Sequence, residues 1–132
     1  MEKPLETVEN YLENILMLGH EGKSVRSVDI ANKLEYSKPT ISVAMKNLRE
    51  SGYIIVDAHG HITLTQNGHE IAQRMYDRHK LISDWLIFLG VSRETAVKDA
   101  CKIEHDMSDE SFTALKNHIE GWKQTVYMQN PR

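Results

Sequence analysis

Within its first 65 residues the chain carries three helical apolar patterns separated by two short breaks, then a strand pattern folded about a glycine. Few architectures accept that order. Val8, Tyr11, Leu12, Ile15, Leu16 and Leu18 recur at three- and four-residue intervals, which predicts a helix over 5–19 with Gly22 as its stop. Ser27 is the expected N-cap of a second, short helix with Val28, Ile30, Ala31 and Leu34 facing inward. After the break Glu35-Tyr36-Ser37, a third helix opens on Ser37 or Lys38, with Pro39 in the first turn, where proline forfeits no hydrogen bond. It turns Ile41, Ala44, Met45 and Leu48 inward and closes at Gly52. Tyr53–Val56 and His61–Thr65 then flank Asp57-Ala58-His59-Gly60, the pattern of a two-stranded hairpin.

Helix, helix, tight turn, helix, hairpin is the layout of a winged helix-turn-helix, in which the second helix braces the third and the third enters the DNA major groove. The remainder reads as helical throughout. Residues 67–89 place Ile71, Ala72, Met75, Ile82, Trp85, Leu86 and Leu89 on one stripe, and Gly90-Val91-Ser92 breaks it. Ser92 can cap a helix running to about Asp106, and Ser108 a last one carrying Phe112, Leu115, Ile119 and Trp122. The tail after Trp122 is polar and ends Asn130-Pro131-Arg132, and it is expected to fray. The fold expected is therefore mainly α: a winged-helix domain over 1–66 and an all-helical domain over 67–132, meeting between Thr65 and Gly68 without a flexible linker.

Composition adds exclusions. Forty per cent apolar and 27% charged residues are ordinary for a globular chain. No apolar run reaches the roughly 18 residues of a membrane span, and the amino terminus lacks a signal-peptide layout. A single cysteine forbids an internal disulfide and suits a reducing cytoplasm. The net charge of −3 argues superficially against nucleic acid, yet Lys23, Arg26, Lys33, Lys38, Lys46 and Arg49 face only Asp29 and Glu35 between positions 23 and 49. In the third helix Ser37, Lys38, Thr40, Ser42 and Lys46 lie off the buried stripe. Short hydroxyls beside Pro39 let the backbone approach phosphates, Thr40 can offer its methyl to thymine, and Lys46, Arg49 and Arg26 supply charge. Without Arg, Asn or Gln in the first two turns, DNA shape is expected to carry part of the specificity. A helix-turn-helix used only as a protein scaffold is the competing reading.

A second constellation lies further on. Cys101, Glu104 and His105 stand at i, i+3 and i+4, which brings a thiolate, a carboxylate and an imidazole to one helix face. The apolar stripe Ala96, Val97, Ala100, Cys101 and Ile103 runs into Glu104, and a carboxylate bordering an apolar face is costly unless paired or metal-bound. His79 shows the same pattern one turn after Met75, and Asn10 and Glu13 share a face in the first helix beside the apolar one. Each has a bland explanation: a lone Cys is usually a small core residue, and a lone inward His is usually satisfied by hydrogen bonds. Their coincidence on three helices favours a transition-metal site. His59, His61, His69 and His118 read as surface or wing residues.

At these positions the chain resembles the diphtheria toxin repressor family, which includes the iron-dependent repressors and the manganese transport regulators. The marks are Glu9-Asn10-Tyr11-Leu12-Glu13, Ser37-Lys38-Pro39-Thr40-Ile41-Ser42, Leu64-Thr65-Gln66-Asn67-Gly68, Arg78-His79-Lys80-Leu81 and the stretch from Cys101 to Ser108. The resemblance implies a winged helix followed by a helical dimerisation domain, in the family's compact two-domain form. It implies a homodimer that binds a palindromic double-stranded operator when Fe(II) or Mn(II) is bound, with Zn(II) or Co(II) as in vitro substitutes. By position, Cys101, Glu104 and His105 match the ligand run of iron-type members, while Glu13 and His79 match positions used by the manganese type. Asn10 stands where the iron type has methionine and the manganese type aspartate. Ser83 and Lys98 replace a carboxylate and an imidazole of the iron type's ancillary site. The expectation is a cytoplasmic, metal-dependent repressor with no enzymatic activity. The alternative is a metal-independent winged-helix regulator whose polar cluster is structural.

Overall fold

The structure, a computed structural model, describes residues 4–22 and 24–129, with side chains over 8–22 and 24–122. Lys23 of the basic segment and the terminal residues 130–132 lie outside the described residues. In chain order the elements are α1 (Pro4–His20), α2 (Ser27–Leu34), α3 (Lys38–Glu50), β1 (Ile54–Val56), β2 (Ile62–Leu64), α4 (Gln66–Phe88), α5 (Arg93–Asp106) and α6 (Asp109–Gln129). Two compact units divide the chain, the first through Tyr76 and the second from Asp77. The division falls inside α4, later than the 66/67 junction read from element order. The cause is local: Ala72 is buried in the first unit's core, and Ile71 and Tyr76 pack against it.

In the first unit, α1 buries Tyr11, Leu12, Ile15 and Leu16 against Val25, Ile30, Ile41, Met45, Leu48, Ile54 and Ile62. Each such side chain contributes about 1.5–3 kcal/mol when fully buried, so packing of this apolar face, more than intrinsic helix propensity, holds α1 in place. The N-cap of α2 is Arg26 rather than Ser27. Its backbone N–H donates to the Asp29 carboxylate at 2.9 Å, so the acid of the first turn closes the helix end. Val28 is exposed at 39%, contrary to the inward reading, because it lies roughly 200° around the helix from Ile30. The break before α3 uses Glu35 in the left-handed region (φ 59), with the Tyr36 N–H donating to the Ala31 carbonyl at 3.1 Å. Ser37 caps α3 as expected, its Oγ accepting the Thr40 N–H at 3.3 Å.

The wing is an antiparallel pair with Ile54 opposite Leu64 and Val56 opposite Ile62. Ile54 and Ile62 point into the core while Ile55 stays 57% exposed, the two-residue alternation of a half-buried strand. At the wing exit the Thr65 N–H donates to the Tyr53 carbonyl (3.0 Å), its hydroxyl donates to the Gly52 carbonyl (2.7 Å), and the Gly68 N–H donates to that hydroxyl (3.2 Å). A Cβ on Gly68 would sit 2.0 Å from the Tyr53 carbonyl oxygen, so α4 can start this close to the wing only with glycine there.

In the second unit the end of α4 meets α5 and α6. The buried row of α5 is Ala96, Ala100 and Glu104, spaced i, i+4, i+8, so Glu104 sits at the centre of the buried face instead of bordering it. Val97 and Ile103, expected on that stripe, remain 37% and 38% exposed. Ser92 and Ser108 cap α5 and α6, accepting the N–H groups of Thr95 (3.4 Å) and Ser111 (3.1 Å). In α6 Ile119 is buried, whereas Trp122 packs edge-on against Trp85 and Phe88 with ring centroids 5.5 and 5.0 Å away. Phe88 and Leu89 on this face are 54% and 60% exposed. Among the described residues no helix is long and apolar enough to cross a membrane.

Candidate metal centre and nucleic-acid interface

The last two turns of α5 assemble the candidate metal centre. Cys101 and His105 are partly buried, Glu104 fully so, and each offers one ligand atom within 4.8 Å of the others. Their order along the helix makes this possible, since i, i+3 and i+4 share one face. From α4, His79 brings Nδ1 to 3.4 Å from Glu104 Oε2, while His105 Nε2 lies 3.6 Å from Glu104 Oε1. One buried carboxylate is thus flanked by two imidazoles, with a thiol one turn away. The donor set suits a divalent transition metal: a soft thiolate and borderline imidazoles favour Fe(II), Co(II) or Zn(II), and the carboxylate accommodates Mn(II). It does not suit Ca(II) or Mg(II), which take oxygen ligands.

The remaining sequence candidates lie on α1. Glu13 is buried at 3% exposure and Asn10 is partly buried. The Asn14 side-chain amide donates to the Asn10 carbonyl (2.8 Å) and to its Oδ1 (3.2 Å). Within the first unit the Lys33 ammonium is held below its usual value of 10.5 by burial, against the opposing pull of Glu21 and Glu13.

The candidate nucleic-acid face is the outer side of α3. Ile41, Met45 and Leu48 are buried, which leaves Ser37, Lys38, Pro39, Thr40, Ser42, Lys46 and Arg49 exposed together. Val43, 61% exposed, and Asn47 stand among them. Sequence reasoning passed over both; a β-branched residue off the buried stripe of this helix was the available signal. Arg26, at the start of α2, is also exposed, and its Nη2 lies 3.1 Å from His61 Nε2 on the wing. A guanidinium only donates, so Nε2 accepts here and Nδ1, 3.3 Å from Asp57 Oδ2, carries the proton. Asp57 also accepts the backbone N–H groups of His61 (2.9 Å) and His59 (2.8 Å). The His61 N–H is the main reason its carboxyl is held below the ordinary 3.8. The link from Arg26 to the wing is invisible in sequence because 35 residues separate its ends.

A winged helix with a basic, hydroxyl-rich third helix, followed in the same chain by a helical unit, defines a DNA-binding regulator. Comparison with known proteins is more specific. Residues 5–62 match the family model "Iron dependent repressor, N-terminal DNA binding domain", and residues 65–127 match "Iron dependent repressor, metal binding and dimerisation domain". This chain belongs to the iron-dependent repressor family, a family of transcriptional regulators and not of enzymes.

Among its relatives, the HTH-type transcriptional regulator MJ0568 of Methanocaldococcus jannaschii is 34% identical over 123 residues, 92% of this chain and 98% of that protein. The transcriptional regulator MntR of Escherichia coli O157:H7 is 35% identical over 111 residues, 84% of this chain and 72% of that protein. Of solved structures, the manganese regulator SloR superposes with a TM-score of 0.74 at 26% identity over 86% of this chain. A manganese-dependent transcriptional repressor in complex with manganese gives 0.77, also at 26% identity and over 86% of this chain. This chain spans about half the length of those two structures, 53% and 52%.

Proposed function

We propose that the protein is a metal-activated transcriptional repressor that binds a double-stranded operator as a homodimer, using Fe(II) or Mn(II). The observation that carries this reading is the meeting of Cys101, Glu104 and His105 on one face of α5, with His79 Nδ1 3.4 Å from the other oxygen of the same buried glutamate. Glu13 and Asn10 are proposed as further ligands, on the match of their positions to those the family uses. The Cys101 thiolate argues for Fe(II) over Mn(II), with Zn(II) and Co(II) as in vitro substitutes. When bound, a divalent cation selects the conformers that bring its donors together, and a roughly 100-fold preference amounts to about 2.7 kcal/mol, ample for a switch.

The chain's own residues divide the remaining work. Lys38, Lys46, Arg49 and Arg26 take phosphates, releasing counterions. Ser37, Pro39 and Ser42 let the start of α3 approach the backbone closely. Thr40 and Val43 present methyl groups suited to thymine, and Asn47 an amide suited to adenine. The partner subunit is proposed to cover the exposed aromatic face formed by Trp85, Phe88, Leu89 and Trp122, because an apolar patch of this kind is costly in water. The proposed compartment is the cytoplasm, where a lone thiol stays reduced.

The test is anaerobic binding to genomic DNA fragments, with chelator and then with Fe(II), Mn(II) or Zn(II). Binding that appears only with metal is the expected result, and the ranking of ions identifies the cofactor. Equal binding in chelator would make the cluster a structural ion-pair network in a metal-independent regulator, a reading that the Glu104–His79 and Glu104–His105 approaches also accommodate.

A further inference from the structure

The ligand candidates do not explain Arg78. It is 4% exposed, and a guanidinium cannot shed its charge, so burial demands partners; the two Nη groups have them, while Nε has no hydrogen-bond partner among the described residues. Its Nη1 donates to the carbonyls of Glu104 (3.2 Å) and Met107 (2.9 Å). Its Nη2 pairs with the Asp109 carboxylate, and its central carbon lies 4.8 Å from the centroid of the Phe112 ring. These partners belong to the last turn of α5, to the residue that ends it, and to the first turn of α6. The carbonyls of a helix's final turn have no partner within the helix, so Arg78 supplies one to Glu104 where α5 stops. The next residue of α4, His79, meets the same glutamate at its other end, Nδ1 to Oε2 at 3.4 Å. Consecutive residues of α4 therefore hold the main chain and the side chain of Glu104.

We infer that Arg78 is a positioning residue of the metal centre, fixing the final turn of α5 so that Glu104 and His105 stand at a set distance from His79. The inference rests on reading those residues as ligands. With the clamp in place the donor atoms are ordered before any ion arrives. Without it the turn frays, and binding must supply the ordering. Groups that orient metal ligands from outside typically change affinity by about 10–100-fold when altered. Lysine does not replace this arginine, because a single ammonium on a flexible stem cannot serve two carbonyls and a carboxylate from one plane.

The experiment is an anaerobic Co(II) titration of the full chain, followed through the thiolate-to-cobalt charge-transfer band, with a thermal melt of each metal-free protein alongside. Arg78→Lys should bind Co(II) about 10–100-fold more weakly and give a weaker band at saturation. Asp109→Asn, which opens only the solvent-facing end of the clamp, should weaken binding several-fold while the metal-free melt moves little. If Arg78→Lys fails to fold, Asp109→Asn alone decides. Folded variants with the wild-type affinity and spectrum would overturn the inference. A wild-type protein that shows no thiolate band at all would overturn the ligand assignment beneath it, a separate and recognisable failure.

Discussion

Replacing Glu104 with glutamine separates a metal site from a structural polar cluster. Glutamine has nearly the same volume, so the buried row Ala96, Ala100 and 104 stays filled and no cavity forms. Its amide oxygen can accept a hydrogen bond from His79 Nδ1, now 3.4 Å from the carboxylate, and either histidine can stay neutral. No uncompensated charge is left behind, and the metal-free protein should change by no more than about 1 kcal/mol. The metal-bound protein is different. An ion present at 100 times its dissociation constant stabilises a folded protein by about 2.7 kcal/mol. For a chain of this length that is a rise of roughly 10 °C in melting temperature. Losing the anionic oxygens should remove most of that rise. The assay is an anaerobic melt with chelator or with excess Mn(II), Fe(II) or Co(II), paired with DNA retention under the same conditions. A Glu104→Gln protein that keeps the full metal-dependent rise would refute the assignment. A metal-free variant destabilised by several kcal/mol would show that the carboxylate serves the fold.

Three further outcomes are expected. Gly68→Ala forces a methyl group to 2.0 Å from the Tyr53 carbonyl oxygen and should cost about 3 kcal/mol, read as a lower urea midpoint with unchanged slope; a near-neutral result would mean the wing exit yields freely. Glu35→Gly relieves a left-handed residue and should raise stability by about 0.5–1 kcal/mol net of the extra freedom in the unfolded chain, so a lower melting temperature would contradict the strain argument. The folded Asp57 carboxyl titrates below its unfolded value of 3.8, so its stabilisation is complete above that value and disappears as pH falls through the folded one. The difference in melting temperature between wild type and Asp57→Asn should accordingly be constant from pH 5 to 7 and shrink below about pH 4; a difference that stays undiminished as pH falls below 3.8 would assign the effect to something other than the carboxylate's charge.

Much of the fold is legible in the sequence because it is local. Ser37, Ser92 and Ser108 announce helix starts by side-chain chemistry within three residues, and the wing follows from alternation about Gly60. Features that depend on partners distant in sequence are not. Arg26 caps α2 because of Asp29, which a preference for serine hid, and its reach to His61 exists only once the wing has folded. The spacing of Cys101, Glu104 and His105 gave their common face but not the full burial of Glu104, which depends on what α4 places opposite. Arg78 appeared in sequence only as part of a motif, since its hydrogen-bond partners lie 26 to 31 residues further on. An apolar stripe, finally, does not say what covers it: Trp122 fits the inward pattern of α6 but remains 39% exposed in the single chain.

The aromatic face also makes the molecule its own optical gauge. Its only two tryptophans, Trp85 and Trp122, stand 5.5 Å apart in that cluster, while four of the five tyrosines, Tyr11, Tyr36, Tyr53 and Tyr76, belong to the first unit. Indole emission therefore reports on the second unit alone. A second copy settling over Phe88 and Leu89 would shift it by excluding water, whereas melting confined to the wing would leave it unchanged. Unlabelled protein can thus be followed by colour through pairing and through unfolding of the second unit.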